Sequence, residues 1–406
     1  MKYLILVGDG MGDHPIAELG GRTPLEAADT PMMDELCRKG ELFLNKTVPD
    51  GFPPGSDVAN MSLLGYSPAL YYTGRSPLEA AAMGVELAAD ETAFRCNMVT
   101  IKREENSRVT MVDFSAGHIS NEESHQLIAA LEAECSSEMF HFHAGVSYRH
   151  LMVLKGDHPG FVTVPPHDYI EKEITEPMGR YLEHPAWRTL LEKAGQVLAA
   201  HPVNLKRIGQ GKKPANMIWL WGEGRMPAVP TLPARFGITG SMISAVDLLK
   251  GLGVVGGLSV IDVPGATGYI DTNYEGKAQA AIDSLKTRDF VFVHLEAPDE
   301  AGHKGSLADK IQAIEDFDAR IVKPIFTHLS AGDEDFRMVV TMDHYTPLAM
   351  RTHTREPVPT LLYDTRAGHT ASGRNFNERE AVAHDRQTGN TLLAGHTMIE
   401  KLLERC

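Results

Sequence analysis

Apolar runs and helix-like segments alternate along the whole chain. The clearest buried strands are predicted over residues 3–7 (YLILV), 290–295 (FVFVHL) and 338–342 (MVVTM), and polar residues follow each of them at once. Such alternation is typical of α/β proteins whose sheet is mostly parallel. Because ligands of open α/β sheets bind beyond the carboxyl ends of the strands, we expect the three polar segments to meet at one site.

The middle of the chain has its own set of predicted strands and helices. Residues 92–225 carry strands and helices of their own, together with most of the long polar loops. We therefore predict a discontinuous first domain over residues 1–91 and 226–406, and a smaller α/β domain inserted into it over residues 92–225.

Composition and charge narrow the functional class. The chain of 406 residues is 43% hydrophobic and has 39 Lys and Arg against 54 Asp and Glu, a net charge of −15. This is the composition of a globular protein, and neither nucleic acid nor a membrane is expected as its partner. The first apolar run is five residues long and enters GDGMGD directly, so it predicts a strand and not a signal peptide. Four widely spaced cysteines without a C-x-x-C pair suit a reducing cytoplasm.

Acids and histidines follow two of the predicted strands. Asp299 and His303 in EAPDEAGHKG are spaced i, i+4, so they share a helical face on which both can bind one cation. A surface ion pair or a helix cap is the structural alternative. Asp343 and His344 directly follow the strand MVVTM, where an uncompensated polar group would be costly. His353 lies nine residues further on in a loop, where a lone histidine is usually only solvated.

Two further candidates lie near the N-terminus. Asp9 follows the first strand in VGDGMGD, whose G-x-G-x-G spacing does not match a dinucleotide-binding fingerprint but suits close approach of a metal or a phosphate. Ser56 in PPGSDVANMSLLGY is predicted at a helix N-terminus, which favours an anion, although serine is also a common N-cap. No G-x-S-x-G elbow is present, so an ordinary Ser-His-Asp hydrolase is not indicated.

Taken together, these residues offer oxygen and nitrogen ligands without cysteine. Such a set suits two divalent ions of the Mn²⁺, Mg²⁺ or Zn²⁺ type, and two ions can activate a nucleophile and neutralise a transferring phosphoryl group. The residues themselves therefore predict a two-metal phosphoryl-transfer site with a serine as candidate nucleophile. Its members are Asp9, Ser56, Asp299, His303, Asp343, His344 and His353.

The order of these motifs over almost the whole chain resembles the cofactor-independent (2,3-bisphosphoglycerate-independent) phosphoglycerate mutases of the short, archaeal type, within the alkaline phosphatase superfamily. The resemblance implies an alkaline-phosphatase-like fold. It implies that Ser56 becomes phosphoserine and binds one metal beside Asp9, Asp343 and His344, and that Asp299, His303 and His353 bind the second. The motifs that carry it are VGDGMGD, TPLEAADTP, PPGSDVANMSLLGY, YYTGRSPLEAAAMG, GVSYRH, PPHD, WLWGEGR, AVDLLKGLGV, VPGATGYIDTNYEGK, EAPDEAGHKG, MDHYTPLAMRTHT and EPVPTLLY.

The same resemblance implies an activity, the interconversion of 3-phosphoglycerate and 2-phosphoglycerate in glycolysis and gluconeogenesis. It implies two divalent ions, Mn²⁺ first and Mg²⁺, Zn²⁺ or Co²⁺ as alternatives, and no 2,3-bisphosphoglycerate. The inserted domain would close over the substrate. Arg149, Arg225 and Lys250 are then candidates for binding phosphate and carboxylate, and His167 with Asp168 for handling protons. Outside this context each of the five would be a solvated surface residue.

Alternatives remain open at this stage. The segments GRSPLEAAAMG and WLWGEGR resemble bacterial members that have been proposed as homoserine kinases, so a phosphotransferase acting on homoserine or a similar small metabolite is one alternative. A metal-dependent phosphomonoesterase and a non-enzymatic binding module are others. The expected partner is a small phosphorylated metabolite, and the protein is expected to be a monomer or a small homo-oligomer.

Overall fold

The computed structural model of the chain describes residues 1–105, 107–366, 371–389 and 392–404. It divides into two compact units, the first formed by Met1–Tyr72 with Ala228–Cys406 and the second by Thr73–Pro227. In the described part of the chain, no helix combines the length and the apolar character that crossing a membrane requires.

Strands and helices alternate through both units. The strands are β1 (Lys2–Gly8), β2 (Glu41–Lys46), β3 (Glu91–Arg103), β4 (Val109–Asp113), β5 (Phe140–Val146), β6 (Arg149–Lys155), β7 (Met217–Gly224), β8 (Gly240–Ile243), β9 (Ser259–Val260), β10 (Phe290–Leu295), β11 (Phe336–Thr341), β12 (Val358–Asp364) and β13 (Leu392–Ala394).

The α-helices are α1 (Pro24–Ala27), α2 (Pro31–Lys39), α3 (Ser56–Leu63), α4 (Pro68–Tyr71), α5 (Ser76–Ala82), α6 (Asn121–Cys135), α7 (Thr175–Leu182), α8 (Pro185–Ala200), α9 (Pro202–Gly209), α10 (Leu232–Phe236), α11 (Asp247–Val255), α12 (Tyr274–Leu285), α13 (Ala297–Lys304), α14 (Leu307–Phe317), α15 (Lys323–Ser330), α16 (Glu378–Thr388) and α17 (Met398–Leu403). Short 3₁₀ turns lie at Ala17–Leu19, Pro166–Tyr169 and Gly395–Thr397, and a π-helical segment at Asp318–Val322 joins α14 to α15.

The first unit is built on a mostly parallel sheet, which confirms the predicted α/β class. Its described strands run in the order β13-β2-β12-β11-β1-β10-β8-β9, and only the pairs of β12 with β11 and β2 are antiparallel. Leu4 and Ile5 of the central strand β1 point to opposite faces and both are fully buried. Helices cover both faces of such a strand, which explains its unbroken apolar run.

The three predicted strands are neighbours in this sheet. Strand β1 pairs in parallel with β10 on one side and with β11 on the other, with Tyr3 level with Phe290 and Arg337. Parallel neighbours end at the same edge, so the polar segments that follow them are brought to one place.

The second unit contains an antiparallel sheet with helices packed against it. The long strand β3 pairs with β4, β6 and β7, and β5 continues the sheet beyond β6. Trp187 of α8 and Leu127 of α6 lie in its core with Phe94 of β3. Helix α7 ends at Leu182, and Pro185 starts the separate helix α8.

The first boundary of this unit lies earlier in the chain than the predicted residue 91. Helix α5 belongs to the second unit, because Ala80 packs with Ala93 and Leu151 in a small apolar cluster. The Ser76 hydroxyl donates a hydrogen bond of 2.6 Å to the carbonyl of Gly222. The second boundary, at Pro227, lies two residues after the predicted residue 225.

Candidate active site

All seven residues predicted for metal binding lie in the first unit, beyond the carboxyl ends of its central strands. Asp9 follows β1, Asp299 and His303 lie on α13 directly after β10, and Asp343 with His344 follows β11. The list is completed by Ser56, the first residue of α3, and His353, in a loop after β11. Strand order thus brings together residues that are hundreds of positions apart in the chain.

Asp9, Ser56, Asp343 and His344 form the first part of the site. The Nε2 atom of His344 lies 3.3 Å from Ser56 Oγ, 3.5 Å from Asp9 Oδ1 and 3.4 Å from Asp343 Oδ2. Asp343 accepts further hydrogen bonds from the backbone N–H of Gly10, at 3.2 Å, and of His344, at 2.9 Å. The two acids and the histidine are 1% exposed or less, so the serine hydroxyl is surrounded by buried ligand-type groups.

Asp299, His303 and His353 form the second part. Asp299 directs Oδ2 at His303 Nε2, 3.2 Å away, and Oδ1 at His353 Nε2, 3.3 Å away. The two Nε2 atoms are 2.9 Å apart, and the ring of His353 stacks on that of His344 with centroids 4.0 Å apart. The i, i+4 pair therefore shares one face of α13, as its spacing predicts, and the loop histidine joins it.

The orientation of the three histidines fits metal binding. Each turns Nε2 into the cluster and places Nδ1 near an oxygen: Arg351 O at 3.0 Å for His303, Pro54 O at 3.3 Å for His353 and Thr346 Oγ1 at 3.3 Å for His344. Metal-binding histidines use this arrangement, because a bond from Nδ1–H to an outer oxygen leaves the Nε2 lone pair free for the ion.

The carboxylates fit a cation for a second reason. One potential ligand atom from each of Asp9, Glu296 and Asp299 falls within 4.8 Å of the others, and the Oδ1 atom of Asp9 has no hydrogen-bond partner among the described residues. Like charges at this separation in a buried place are costly unless a cation or protons compensate them. Oxygen and nitrogen ligands without sulfur suit Mn²⁺, Mg²⁺ or Zn²⁺.

The close approach of these buried charges shifts the pKa values of several groups in the cluster. Burial, together with the charges of Asp343 and Asp299, raises the pKa of Asp9 well above its ordinary value. Burial and the charge of Asp299 raise the pKa of Glu296 to about 8. Burial opposes a charge on His303, but its hydrogen bond with Asp299 prevails and raises the pKa of the imidazole to about 9. In the absence of cations, the cluster therefore retains protons at neutral pH.

Three residues of this region were missed by the sequence reasoning. The Asn60 amide donates to Ser56 O at 2.9 Å and to Asp343 Oδ2 at 2.8 Å, which ties helix α3 to Asp343. His294 is fully buried with Nε2 3.0 Å from Asp9 Oδ2, and Glu296 is the third carboxylate of the cluster. A polar residue inside the run FVFVHL was a signal for His294. Asn60 had no such signal, because Asp343, the acid it contacts, is 283 positions away in the sequence.

The five predicted substrate-binding residues are not gathered in one unit. Lys250 lies in the first unit, on α11, and its ammonium is 2.6 Å from Asp262 Oδ1. Arg149, His167, Asp168 and Arg225 lie in the second unit. There, Arg149 is exposed at the start of β6. His167 and Asp168 lie in a short turn, and His167 Nε2 is 3.8 Å from Asp168 Oδ1. Arg225 Nε is 3.4 Å from Thr92 Oγ1. Their roles stay predictions.

The second unit also holds an arginine cluster that the sequence did not reveal. The guanidinium groups of Arg95 and Arg75 lie over the ring of Trp221, 5.0 Å and 5.4 Å from its centroid. The ring of His167 is 5.5 Å from the same indole. Glu79 is 3.3 Å from Arg95 and 3.4 Å from Arg75. Both guanidinium groups thus contact the same carboxylate.

Arg95 is the more buried of the two arginines. It is 9% exposed, and its Nε has no hydrogen-bond partner in the described ranges. Burial, and the nearby charges of Arg75 and Arg149, lower its pKa to about 10 against the opposing effect of Glu79. A buried, incompletely paired guanidinium next to other cations is suited to binding an anion.

Solved structures share this architecture over the full chain. A protein from Pyrococcus horikoshii superposes with a TM-score of 0.80 at 30% identity, covering 100% of this chain and 98% of that one. A cofactor-independent phosphoglycerate mutase from Thermoplasma acidophilum superposes with a TM-score of 0.65 at 26% identity, covering 99% of both chains. The fold and site thus define a protein of the cofactor-independent mutase class.

Sequence comparison identifies the family itself. The family model described as 2,3-bisphosphoglycerate-independent phosphoglycerate mutase matches residues 37–204. Proteins of that name from Methanosarcina acetivorans and Pyrococcus furiosus are 55% and 36% identical to this chain, over 93% and 99% of it and 94% and 97% of their own lengths. The chain belongs to the 2,3-bisphosphoglycerate-independent phosphoglycerate mutase family, as its motifs predict, and is an enzyme of the isomerase class.

Proposed function

We propose that this enzyme interconverts 3-phosphoglycerate and 2-phosphoglycerate through a phosphoserine on Ser56, without 2,3-bisphosphoglycerate. The observation that carries the proposal is the position of Ser56 Oγ, 3.3 Å from the Nε2 of His344 within the carboxylate and histidine cluster. The names and lengths of its relatives support the same reaction. The proposal includes a cytoplasmic location and a role in glycolysis and gluconeogenesis.

Two divalent ions are part of the proposal, Mn²⁺ first, with Mg²⁺, Zn²⁺ or Co²⁺ as alternatives. Asp9, Ser56, Asp343 and His344 would hold one of them, and the list for the other is Asp299, His303 and His353. When bound, such ions favour the alkoxide form of a serine and neutralise charge on a transferring phosphoryl group.

The chain's own residues perform the transfer. Ser56 Oγ loses its proton and attacks phosphorus, and the Oγ–P bond forms as the bond between phosphorus and the 3-oxygen of glycerate breaks and that oxygen takes up a proton. The glycerate turns in place, and its 2-oxygen takes the phosphoryl group back and frees the serine. Ser56 opens α3, and the Val58 N–H of the first turn already donates to Asp57 Oδ1 at 2.9 Å, so the preceding N–H groups of Ser56 and Asp57 are the ones offered to the phosphoryl oxygens. Water has to be excluded while phosphoserine exists, because hydrolysis would make the enzyme a phosphatase.

We further propose that the second unit binds the anionic groups of the substrate. The arginine cluster beside Trp221 supports this role, since it offers Arg95 and Arg75 for a carboxylate or a phosphate, with Arg149 nearby. His167 and Asp168 remain the candidates for proton transfer, and Arg225 and Lys250 remain candidate anion ligands. That the unit closes over the substrate stays a prediction.

Replacing Arg95 with methionine is expected to raise the KM for 3-phosphoglycerate about 10- to 100-fold, because charge-assisted hydrogen bonds are worth about 1.5–3 kcal/mol each. Steady-state kinetics on folded, metal-loaded protein measure it. Arg103→Met is the matched control, since Arg103 lies at the exposed end of the same strand. A KM within twofold of wild type for Arg95→Met would remove Arg95 from the substrate site.

The reaction itself is tested with 3-phosphoglycerate, Mn²⁺ and enolase as the coupling enzyme, in the absence of 2,3-bisphosphoglycerate, while free phosphate is followed in the same tube. We expect formation of 2-phosphoglycerate that a chelator abolishes and added Mn²⁺ restores. Release of phosphate alone would indicate a phosphomonoesterase. No turnover by folded, metal-loaded protein would contradict the proposal and favour phosphotransfer to homoserine or a similar metabolite, to be assayed next.

The stability of the metal-free protein is expected to fall as pH rises from about 6.5 to about 9. His303 and Glu296 have pKa values raised to about 9 and about 8, so the folded state binds their protons more tightly than the unfolded state does. The stability they add is complete below their ordinary pKa values and is lost as pH rises through the raised ones.

Metal replaces those protons, so the rise in Tm caused by Mn²⁺ or Mg²⁺ should grow over the same pH range. Thermal denaturation with chelator and with metal at each pH measures both trends. The variant His303→Gln should flatten the pH dependence of the metal-free protein. A metal-free Tm that increases steadily from pH 6.5 to 9 would contradict the assignment.

A further inference from the structure

A buried lysine lies beside the candidate metal ligands without being one of them. Lys310 on α14 is fully buried, and its Nζ donates three hydrogen bonds: to Gly12 O at 3.0 Å, to Asp13 Oδ2 at 2.9 Å and to Thr346 O at 2.8 Å. An ammonium group has three donors, so all of them are used. None of the three acceptors lies on the helix that carries the lysine.

These acceptors belong to the two loops that carry candidate metal ligands. Gly12 and Asp13 lie in the loop that begins with Asp9 after β1, and Thr346 follows His344 after β11. The loops are also joined directly, because the N–H of Thr346 donates to Gly12 O at 3.2 Å and that of Leu348 to Asp13 Oδ2 at 3.1 Å. Lys310 therefore lies at the point where the two loops meet.

The same junction reaches the second part of the site. The hydroxyl of Thr346 donates to Asp299 Oδ1, the oxygen that faces His353, and lies 3.3 Å from Nδ1 of His344. A shift of the Thr346 backbone would therefore move groups that orient both candidate metal sites. The loops are closely packed at Gly10, since a Cβ atom there would lie 2.5 Å from Thr346 Oγ1 and 2.7 Å from Asp299.

We propose that Lys310 is a positioning residue, whose ammonium group holds the two loops in the arrangement that binds both divalent ions. The proposal rests on the proposed function, in which these loops provide the metal ligands. A buried ion pair contributes little net stability compared with apolar packing, because desolvation offsets the attraction. Instead, the three hydrogen bonds from Lys310 Nζ fix the positions of Gly12 O, Asp13 Oδ2 and Thr346 O relative to one another.

The test is the substitution Lys310→Met, which keeps an unbranched side chain and removes the three donors. We expect the dissociation constant for Mn²⁺, measured by equilibrium dialysis, to rise about 10- to 100-fold, as is usual when groups that orient metal ligands are removed. The Mn²⁺ concentration needed for half-maximal activity should rise by a similar factor. At saturating Mn²⁺, kcat should return towards the wild-type value, because the ligands themselves are intact.

A purely structural role is separated from positioning by a second variant. Lys310→Met leaves the Asp13 carboxylate buried without its partner, which by itself destabilises the fold. The double variant Lys310→Met with Asp13→Asn removes that charge, so the Tm of the metal-free protein should recover while Mn²⁺ affinity stays low. Lys286→Met, which removes an exposed ion pair with Asp283, is the control and should bind Mn²⁺ normally.

The outcomes are distinguishable. If the double variant regains both stability and wild-type Mn²⁺ affinity, or if Lys310→Met binds Mn²⁺ within twofold of wild type, Lys310 does not position the ligands. If the single variant does not fold, the double variant decides the question. If the wild-type protein binds no divalent ion, the proposed function itself fails, irrespective of Lys310.

Discussion

Replacing Ser56 with alanine is expected to lower turnover of 3-phosphoglycerate by at least about 10³-fold, because removal of a nucleophile leaves only the residual effects of binding and electrostatics. The fold should be unchanged. Ser56 is the first residue of α3, its side chain caps no backbone N–H of that helix, and its neighbour Asn60 bonds to its carbonyl and not to its hydroxyl. Steady-state kinetics and the Tm of the variant measure the two effects.

The matched control lies on the same helix. Ser62 is fully buried, and its hydroxyl has no hydrogen-bond partner in the part of the chain that the structure describes, so Ser62→Ala should retain wild-type turnover. Wild-type protein quenched in acid during turnover should carry phosphate on the peptide that contains Ser56, and the Ser56→Ala protein should carry none. More than a few percent of wild-type activity in Ser56→Ala would show that the phosphoserine mechanism is wrong.

Replacing Asp299 with asparagine is expected to have an effect of similar size, a loss of about 10³-fold in kcat/KM with weaker binding of one metal equivalent. This carboxylate faces Nε2 of both His303 and His353 and accepts the hydroxyl of Thr346, so its charge acts on the whole second part of the site. The amide keeps the size of the side chain and removes the charge that attracts the cation.

Metal content after dialysis against low free Mn²⁺ distinguishes this effect from unfolding. We expect one equivalent in Asp299→Asn against two in the wild type. Asp309→Asn is the control, because Asp309 lies on the next helix, bonds to the hydroxyl of Tyr269 at 2.5 Å and touches no candidate ligand. Two retained equivalents in Asp299→Asn would exclude Asp299 from the metal site.

Much of the site was predictable because its chemistry is concentrated at the ends of apolar strands. The acids after YLILV and MVVTM, and the i, i+4 pair of Asp299 and His303 after FVFVHL, stand out against buried sequence. A parallel sheet brings such strand ends to one edge, so a convergent site followed from the pattern alone. The assignment to a family followed from the order of the motifs.

Other features depend on contacts between segments that are distant in the chain. Arg95 and Arg75 are recognised as a candidate anion site only in the structure, where β7 places Trp221 beside them. Helix α5 likewise belongs to the second unit because of its apolar contacts with β3 and β6. The residues next to Arg95 and Arg75 in the sequence do not indicate an anion site.

The sequence by itself determined the α/β class, the ligand types and the candidate nucleophile, because periodicity and residue chemistry are local properties of a chain. Only the tertiary structure decided which polar side chains support that chemistry. Asn60 and Lys310 are ordinary residues in their own segments, and each contacts a partner more than two hundred positions away, Asp343 and Gly12 respectively. Such pairings arise from the packing of strand ends and helices, which no single segment specifies.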